Sequence, residues 1–149
     1  MVGACWPCML CSISLIVSLS TGAFTIGLDG SVVSVPVIWG GLALLVLVLT
    51  CFGATAFSDP GIFPRFRSPR HPSWRYHSVT RTYRPRGVVF CRDNQLLVEK
   101  IDHFCPWVGT TVAMNNIWCF HIFTTSLCAL CVFAGVLVLM ASISAVGKD

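Results

Sequence analysis

Charged side chains are scarce in this sequence: they make up 11% of its 149 residues, where a soluble domain carries about 25%. By contrast, 55% of the chain is hydrophobic and the mean hydropathy is +0.78. One small core cannot hide that much apolar surface, because small chains bury only part of what they expose. A bilayer is the natural place for the excess. No Lys or Arg precedes the first apolar stretch, which argues against a cleaved signal peptide there. No fold signature of nucleic-acid binding accompanies the basic residues, so nucleic acid is not expected as a partner. Internal repeats and low-complexity tracts are also missing. The nine cysteines do not read as a disulfide framework. Cys5, Cys8, Cys11, Cys51, Cys119, Cys128 and Cys131 lie in or beside apolar stretches. Cys91 and Cys105 belong to a polar segment read below as cytosolic, where thiols stay reduced.

What charge there is has one address. Of the ten Lys and Arg, only Lys148 lies outside Arg65 to Lys100. Flanked by apolar runs, this basic segment reads as the cytosolic side of a positive-inside topology. It is also suited to attract anionic lipid headgroups or an acidic ligand.

Three runs are long enough to span a membrane, which takes about 20 residues. The first covers about 8–28 and is followed by turn chemistry in Gly27, Leu28, Asp29, Gly30 and Ser31. The second, 35–57, carries Trp39 near its start at an interfacial depth and ends at the breaker Ser58-Asp59-Pro60-Gly61. The third, 117–146, can span with some tilt and leaves a tail at 147–149. Between the second and third lies a polar loop, 58–116, whose Pro64, Pro69, Pro72 and Pro85 discourage long helices. Within it, Gly87–Cys91 and Gln95–Glu99 flank Arg92-Asp93-Asn94, the pattern of a β-hairpin. The expected fold is mostly α: a polytopic membrane protein with three transmembrane helices and a cytosolic loop containing a short β-hairpin.

The chemistry sits in Asp102-His103-Phe104-Cys105-Pro106-Trp107-Val108-Gly109. Cysteine is a good nucleophile as a thiolate, and an adjacent base promotes that form. Asp102, His103 and Cys105 together could form a carboxylate–imidazole–thiol relay, given a folded geometry that aligns them. Cys105 precedes the third span by about a dozen residues, which puts it near the cytosolic membrane face. From there a thiol could reach a soluble thioester headgroup while its acyl tail enters the bilayer or the helix bundle.

This segment resembles the DHHC-type protein S-palmitoyltransferases, whose signature is Asp-His-His-Cys-Pro-Trp-Val-Gly; seven of the eight positions match. Asp59-Pro60-Gly61 resembles the family's Asp-Pro-Gly element and Tyr83-Arg84-Pro85 its Tyr-Arg-Pro stretch. Cys91 stands eleven residues before Asp102, and Asn116 matches the Asn that opens the third span. The resemblance implies that Cys105 takes a fatty acyl group from acyl-CoA, that His103 accepts the thiol proton and that Asp102 orients His103. A substrate-protein cysteine near the membrane would then receive the palmitoyl group. It implies a eukaryotic endomembrane or plasma membrane, with the active loop cytosolic. Arg and Lys of the loop would hold the CoA phosphates, with the choice among them open.

The departures from the pattern are equally specific. Phe104 replaces the second His of the signature, a zinc ligand in the family. The other zinc positions hold His77, Thr80, Phe90, Cys91, Asn94, Leu97 and Thr111. Only His77 and Cys91 among them could bind a metal, and a structural zinc needs four N or S ligands. No structural zinc is therefore expected. Phe90 and Leu97, with Val88 and Val98, read instead as a small hydrophobic patch and a looser loop. The family's fourth span and Thr-Thr-x-Glu element have no counterpart, which leaves a truncated or fragmentary chain, or a catalytically inactive membrane adaptor, as the alternative.

Other features have plainer readings. His121 reads as an interfacial residue. Cys119, Cys128 and Cys131 read as packing residues. Cys5, Cys8 and Cys11 read as packing or interfacial thiols, with S-acylation as the rarer outcome. Gly40 and Gly41 permit close helix approach. Trp107 reads as an interfacial anchor. Thr110 and Thr111 receive no role.

Overall fold

The computed structural model describes residues 5–29 and 33–147. Its order is α1 (Trp6–Asp29), α2 (Val35–Phe57), six short strands and α3 (Ile117–Val146). At 1.5 Å per residue, helices of 24, 23 and 30 residues measure about 36, 35 and 45 Å. Each exceeds the roughly 30 Å hydrocarbon core of a bilayer. The chain is thus mostly helical, with three helices long and apolar enough to cross a membrane. Large apolar side chains such as Leu15, Leu19, Val46, Val132 and Leu139 point outward along them, as lipid-facing residues do.

The first helix runs further than its composition predicts. Gly27 and Asp29 were expected in a turn, yet α1 continues through Asp29. Gly27 is buried, and its missing side chain leaves room for Val33 and the Leu137 methyls, so packing overrides the breaker. Gly30, Ser31 and Lys148 lie outside the described residues.

Helix α3 packs against both α2 and α1, which themselves meet little. Phe52 of α2 and Phe123 of α3 form an edge-to-face pair with centroids 5.2 Å apart. Of the two adjacent glycines, Gly41 is the one that admits close approach. A Cβ there would stand 2.4 Å from Phe133 and 2.7 Å from Phe24, whereas at Gly40 it would meet nothing within 4 Å.

The loop folds as three antiparallel hairpins rather than one. They are β1 (Arg75–His77) with β2 (Thr82–Arg84), β3 (Val88–Cys91) with β4 (Leu96–Glu99), and β5 (Ile101–Cys105) with β6 (Thr110–Ala113). The middle pair is the hairpin expected from the Asp-Asn turn, with Phe90 opposite Leu97 and Val88, Leu97 and Val98 buried. The other two have no alternating pattern long enough to signal a strand.

Asp59-Pro60-Gly61 ties this loop to the membrane helices. The Asp59 carboxylate accepts from the Gly61 and Ile62 N–H groups at 2.9 and 2.8 Å, turning the chain as α2 ends. Gly61 has φ of +108°, a conformation that suits glycine. Its carbonyl then accepts from Glu99 N–H at 3.0 Å, and Phe63 N–H donates to Leu97 O at 2.8 Å. The segment leaving α2 is thereby laid along β4.

Exposed tryptophans mark the two ends of the bundle. Trp6 opens α1 and Trp118 opens α3, both on the loop side with Trp107; Trp39 sits at the opposite end, in the first turns of α2. Such amphipathic rings favour the membrane–water boundary.

Candidate active site

Asp102, His103 and Cys105 all lie on β5. In a regular strand, neighbouring side chains point to opposite faces, which would separate Asp102 from His103. A register shift removes that obstacle. Ile101 pairs with Ala113 and His103 with Val112, so Asp102 is the extra residue of a bulge. The bulge brings His103 Nδ1 and Asp102 Oδ2 to 2.7 Å, with the side chains 39% and 57% exposed. The Phe120 ring of α3 supports the imidazole edge-to-face at 5.1 Å. With Nδ1 held by the carboxylate, Nε2 is the ring nitrogen left to exchange a proton.

Cys105 comes two residues later, in register with Thr110, and is 7% exposed. It belongs to one apolar cluster with Met9 and Ile16 of α1, Val48, Phe52 and Ala56 of α2, Val108, Val112, and Phe123 and Leu130 of α3. Its side chain therefore packs against the helix bundle. Among the described residues no hydrogen bond joins Cys105 Sγ to His103. The structure thus joins two of the three residues and sets the third on the same strand. A tight turn, Pro106–Gly109, follows: Gly109 N–H donates to Cys105 O at 2.9 Å, and Gly109 has φ of +73°.

The signal that sequence reasoning left without a role is Asn116. Its side chain is 0% exposed, and both ends of its amide are engaged. Oδ1 accepts from Ala113 N–H at 2.8 Å, while Nδ2 donates to Thr111 O at 3.0 Å and Thr55 O at 3.2 Å. One side chain thus fastens β6, the partner of the strand that bears Cys105, to the end of α2 and the start of α3. An Asn-Asn pair immediately before a long apolar run was the available clue.

The positions aligned with zinc ligands gather into two groups. In the first, His77 Nδ1 lies 2.9 Å from Thr80 Oγ1 and the His77 ring packs 4.9 Å from Phe90, which faces Leu97 across β3–β4. In the second, Thr111 Oγ1 accepts from Asn94 Nδ2 at 2.6 Å and lies 3.5 Å from Cys91 Sγ, with Phe104 opposite Thr111. Each group holds a single donor that zinc would accept, His77 in one and Cys91 in the other. One ligand cannot close a tetrahedral site, so the residues present do not fit structural zinc. Thr111, which had no assigned role, is the hub of the second group.

A cleft of about 160 Å³ is lined by Arg75, Arg84, Pro85 and Arg86. Arg75 and Arg84 stand directly opposite each other in β1–β2, an arrangement that like charges disfavour.

A carboxylate-backed imidazole and a cysteine thus share one strand at the rim of a hydrophobic helix bundle. The profile of the DHHC palmitoyltransferase family matches residues 70–149, more than half of the chain, and the chain belongs to that family. It is 33% identical over 116 residues to palmitoyltransferase ZDHHC5-A of Danio rerio, covering 65% of this chain and 15% of that protein. It is 32% identical over 105 residues to palmitoyltransferase ZDHHC5 of Rattus norvegicus, covering 58% and 15%. Palmitoyltransferase ZDHHC8 of Mus musculus is 30% identical over 105 residues, covering 58% and 14%. The chain therefore spans about 15% of the length of the relatives it matches.

Proposed function

We propose that this chain carries the acyl-transfer centre of a protein S-acyltransferase. The observation that supports it best is the Asp102–His103 pair on the strand that also bears Cys105, at the rim of the helix bundle. Cys105 sulfur attacks the carbonyl of a fatty acyl-CoA. The carbon–sulfur bond to CoA breaks, a thioester forms on Cys105, and CoA leaves as the thiol. His103 takes the Cys105 proton through Nε2 and returns it to the departing sulfur. Asp102 holds the imidazole in the tautomer this needs and steadies its cationic form. A protein cysteine close to the membrane then accepts the acyl group, and Cys105 is regenerated. Palmitoyl is the acyl group to test first.

The loop at 58–116 acts as one catalytic unit facing the cytosol, since it holds nine of the ten basic residues. In the Arg75–Arg84–Arg86 cleft, a phosphate of CoA would relieve the like-charge pairing.

The test is incubation of the purified chain with labelled palmitoyl-CoA. Hydroxylamine-labile label at Cys105 is expected, and it should vanish in Cys105→Ser. Label that survives this substitution removes Cys105 as the nucleophile. Full cellular function after Cys105→Ala would favour a non-catalytic adaptor instead.

A further inference from the structure

Two nucleophilic residues belong to the helix end that lies against the active-site turn and take no part in the mechanism above. Cys5 and Cys8, at the start of α1, are half-buried with their sulfurs 2.6 Å apart. The same helix end is pressed onto the turn after Cys105. A Cβ built on Gly109 would stand 3.2 Å from Cys5 O and 3.2 Å from Met9 Cβ. Gly109 is itself hydrogen-bonded to Cys105 O, and Met9 shares the buried cluster of Cys105. The Cys5 carbonyl also accepts from Met9 N–H at 3.2 Å, so the helix start is fixed where it touches the turn. Cys11, a turn further on, is exposed.

From this juxtaposition we infer that the Cys5–Cys8 pair is an acyl acceptor in cis, taking the fatty acyl group from the Cys105 thioester. The inference rests on the acyl-enzyme reading given above. The sulfur of Cys5 or Cys8 attacks the thioester carbonyl, its bond to the acyl carbon forms as the Cys105 bond breaks, and Cys105 sulfur receives the proton. No oxidant or further co-reactant is needed. Holding both sulfurs in one chain makes the exchange intramolecular, which favours it strongly over an encounter between chains. The product leaves an acyl chain at the start of a membrane helix, beside Trp6, where its tail can enter the bilayer. The first transmembrane helix would then be both scaffold and substrate.

The full chain, reconstituted in phospholipid nanodiscs, is mixed with alkyne-tagged palmitoyl-CoA and quenched in acid over a time course. Peptide mass spectrometry then locates each thioester. Label is expected first at Cys105 and later at Cys5 or Cys8. Cys105→Ser should lower label at Cys5 and Cys8 by at least about tenfold. In Cys5→Ser/Cys8→Ser, acyl-Cys105 should persist longer than in the parent. Label confined to Cys105 throughout would overturn the inference and leave the acyltransferase reading standing. Label at Cys5 or Cys8 that is undiminished in Cys105→Ser would overturn it as well, since these thiols would then react with acyl-CoA directly. A parent chain with no thioester anywhere would overturn both. The order of labelling in the parent needs no variant, so a misfolded substitution cannot decide the outcome.

Discussion

Asn116→Ala is the substitution through which the architecture around the site can be tested most sharply. The side chain is fully buried, and its loss removes three hydrogen bonds, one from Ala113 N–H and one each to Thr111 O and Thr55 O. A neutral hydrogen bond contributes about 0.5–1.5 kcal/mol net, and a buried group left unpaired costs about 1–3 kcal/mol. Ala113 N–H donates to Asn116 Oδ1, so the substitution takes the acceptor from a buried donor. The expected loss is about 2–4 kcal/mol, which corresponds to a drop of about 10 °C in melting temperature for a chain of this size. Asn116→Asp should be at least as damaging, because it keeps the acceptor but loses the donor and buries a charge. Asn115→Ala, one residue away and exposed, should stay within about 0.5 kcal/mol. Thermal unfolding in detergent, followed by helical circular dichroism, measures all three. If Asn116→Ala melts with Asn115→Ala, then Asn116 does not fasten the hairpin to the bundle.

Other substitutions probe the helix contact, the Asp102–His103 pair and the positions aligned with zinc ligands. Gly41→Ala should destabilise by about 1–3 kcal/mol by driving a methyl into Phe133 and Phe24, while Gly40→Ala should be near neutral; equal melting temperatures would refute the contact. Asp102→Asn should slow Cys105 acylation by about tenfold to a hundredfold, and His103→Ala by about a hundredfold or more, with acyl-CoA affinity little changed. Single-turnover labelling across substrate concentrations separates the two effects, and an unchanged rate in His103→Ala would remove it as the base. Chelators should leave the melting temperature unmoved and elemental analysis should find substoichiometric zinc. A large chelator-induced drop would show that His77 and Cys91 ligate after all.

How much of this was legible beforehand follows from which forces act locally. The three helices announce themselves, because lipid demands long apolar runs with few charges. The β3–β4 hairpin was also readable, since Asp93-Asn94 lies between two apolar arms. The β1–β2 and β5–β6 hairpins were not, because their strands are held by distant partners. Thr82 answers Phe66 sixteen residues away, and Thr111 answers Asn94 across seventeen. The Asp102–His103 contact was proposed from adjacency, yet adjacency within a strand would by itself have kept them apart. The bulge that makes the contact is a pairing property of β5 against β6, and no local pattern encodes it. Burial of Cys105 was invisible for the same kind of reason: Met9 and Phe52, which share its buried cluster, come from separate helices far away in sequence.

The residues at the two positions aligned with zinc ligands set what holds the strand of Cys105 in place. In a zinc-bound loop, ligands at Phe104 and Thr111 would pin β5 to β6 directly, beside Cys105. Here Thr111 does that work through Asn94 and Cys91, a hydroxyl hub worth a few ordinary hydrogen bonds. Its backbone carbonyl is simultaneously held by Asn116, which also grips α2 through Thr55. The strand opposite Cys105 thus hangs from the helix bundle as much as from its own loop. It follows that the loop and the helix bundle should lose structure together. A perturbation of helix packing that leaves Asp102, His103 and Cys105 untouched should therefore loosen the Asp102–His103 contact. That coupling is what a metal-pinned loop would have been spared.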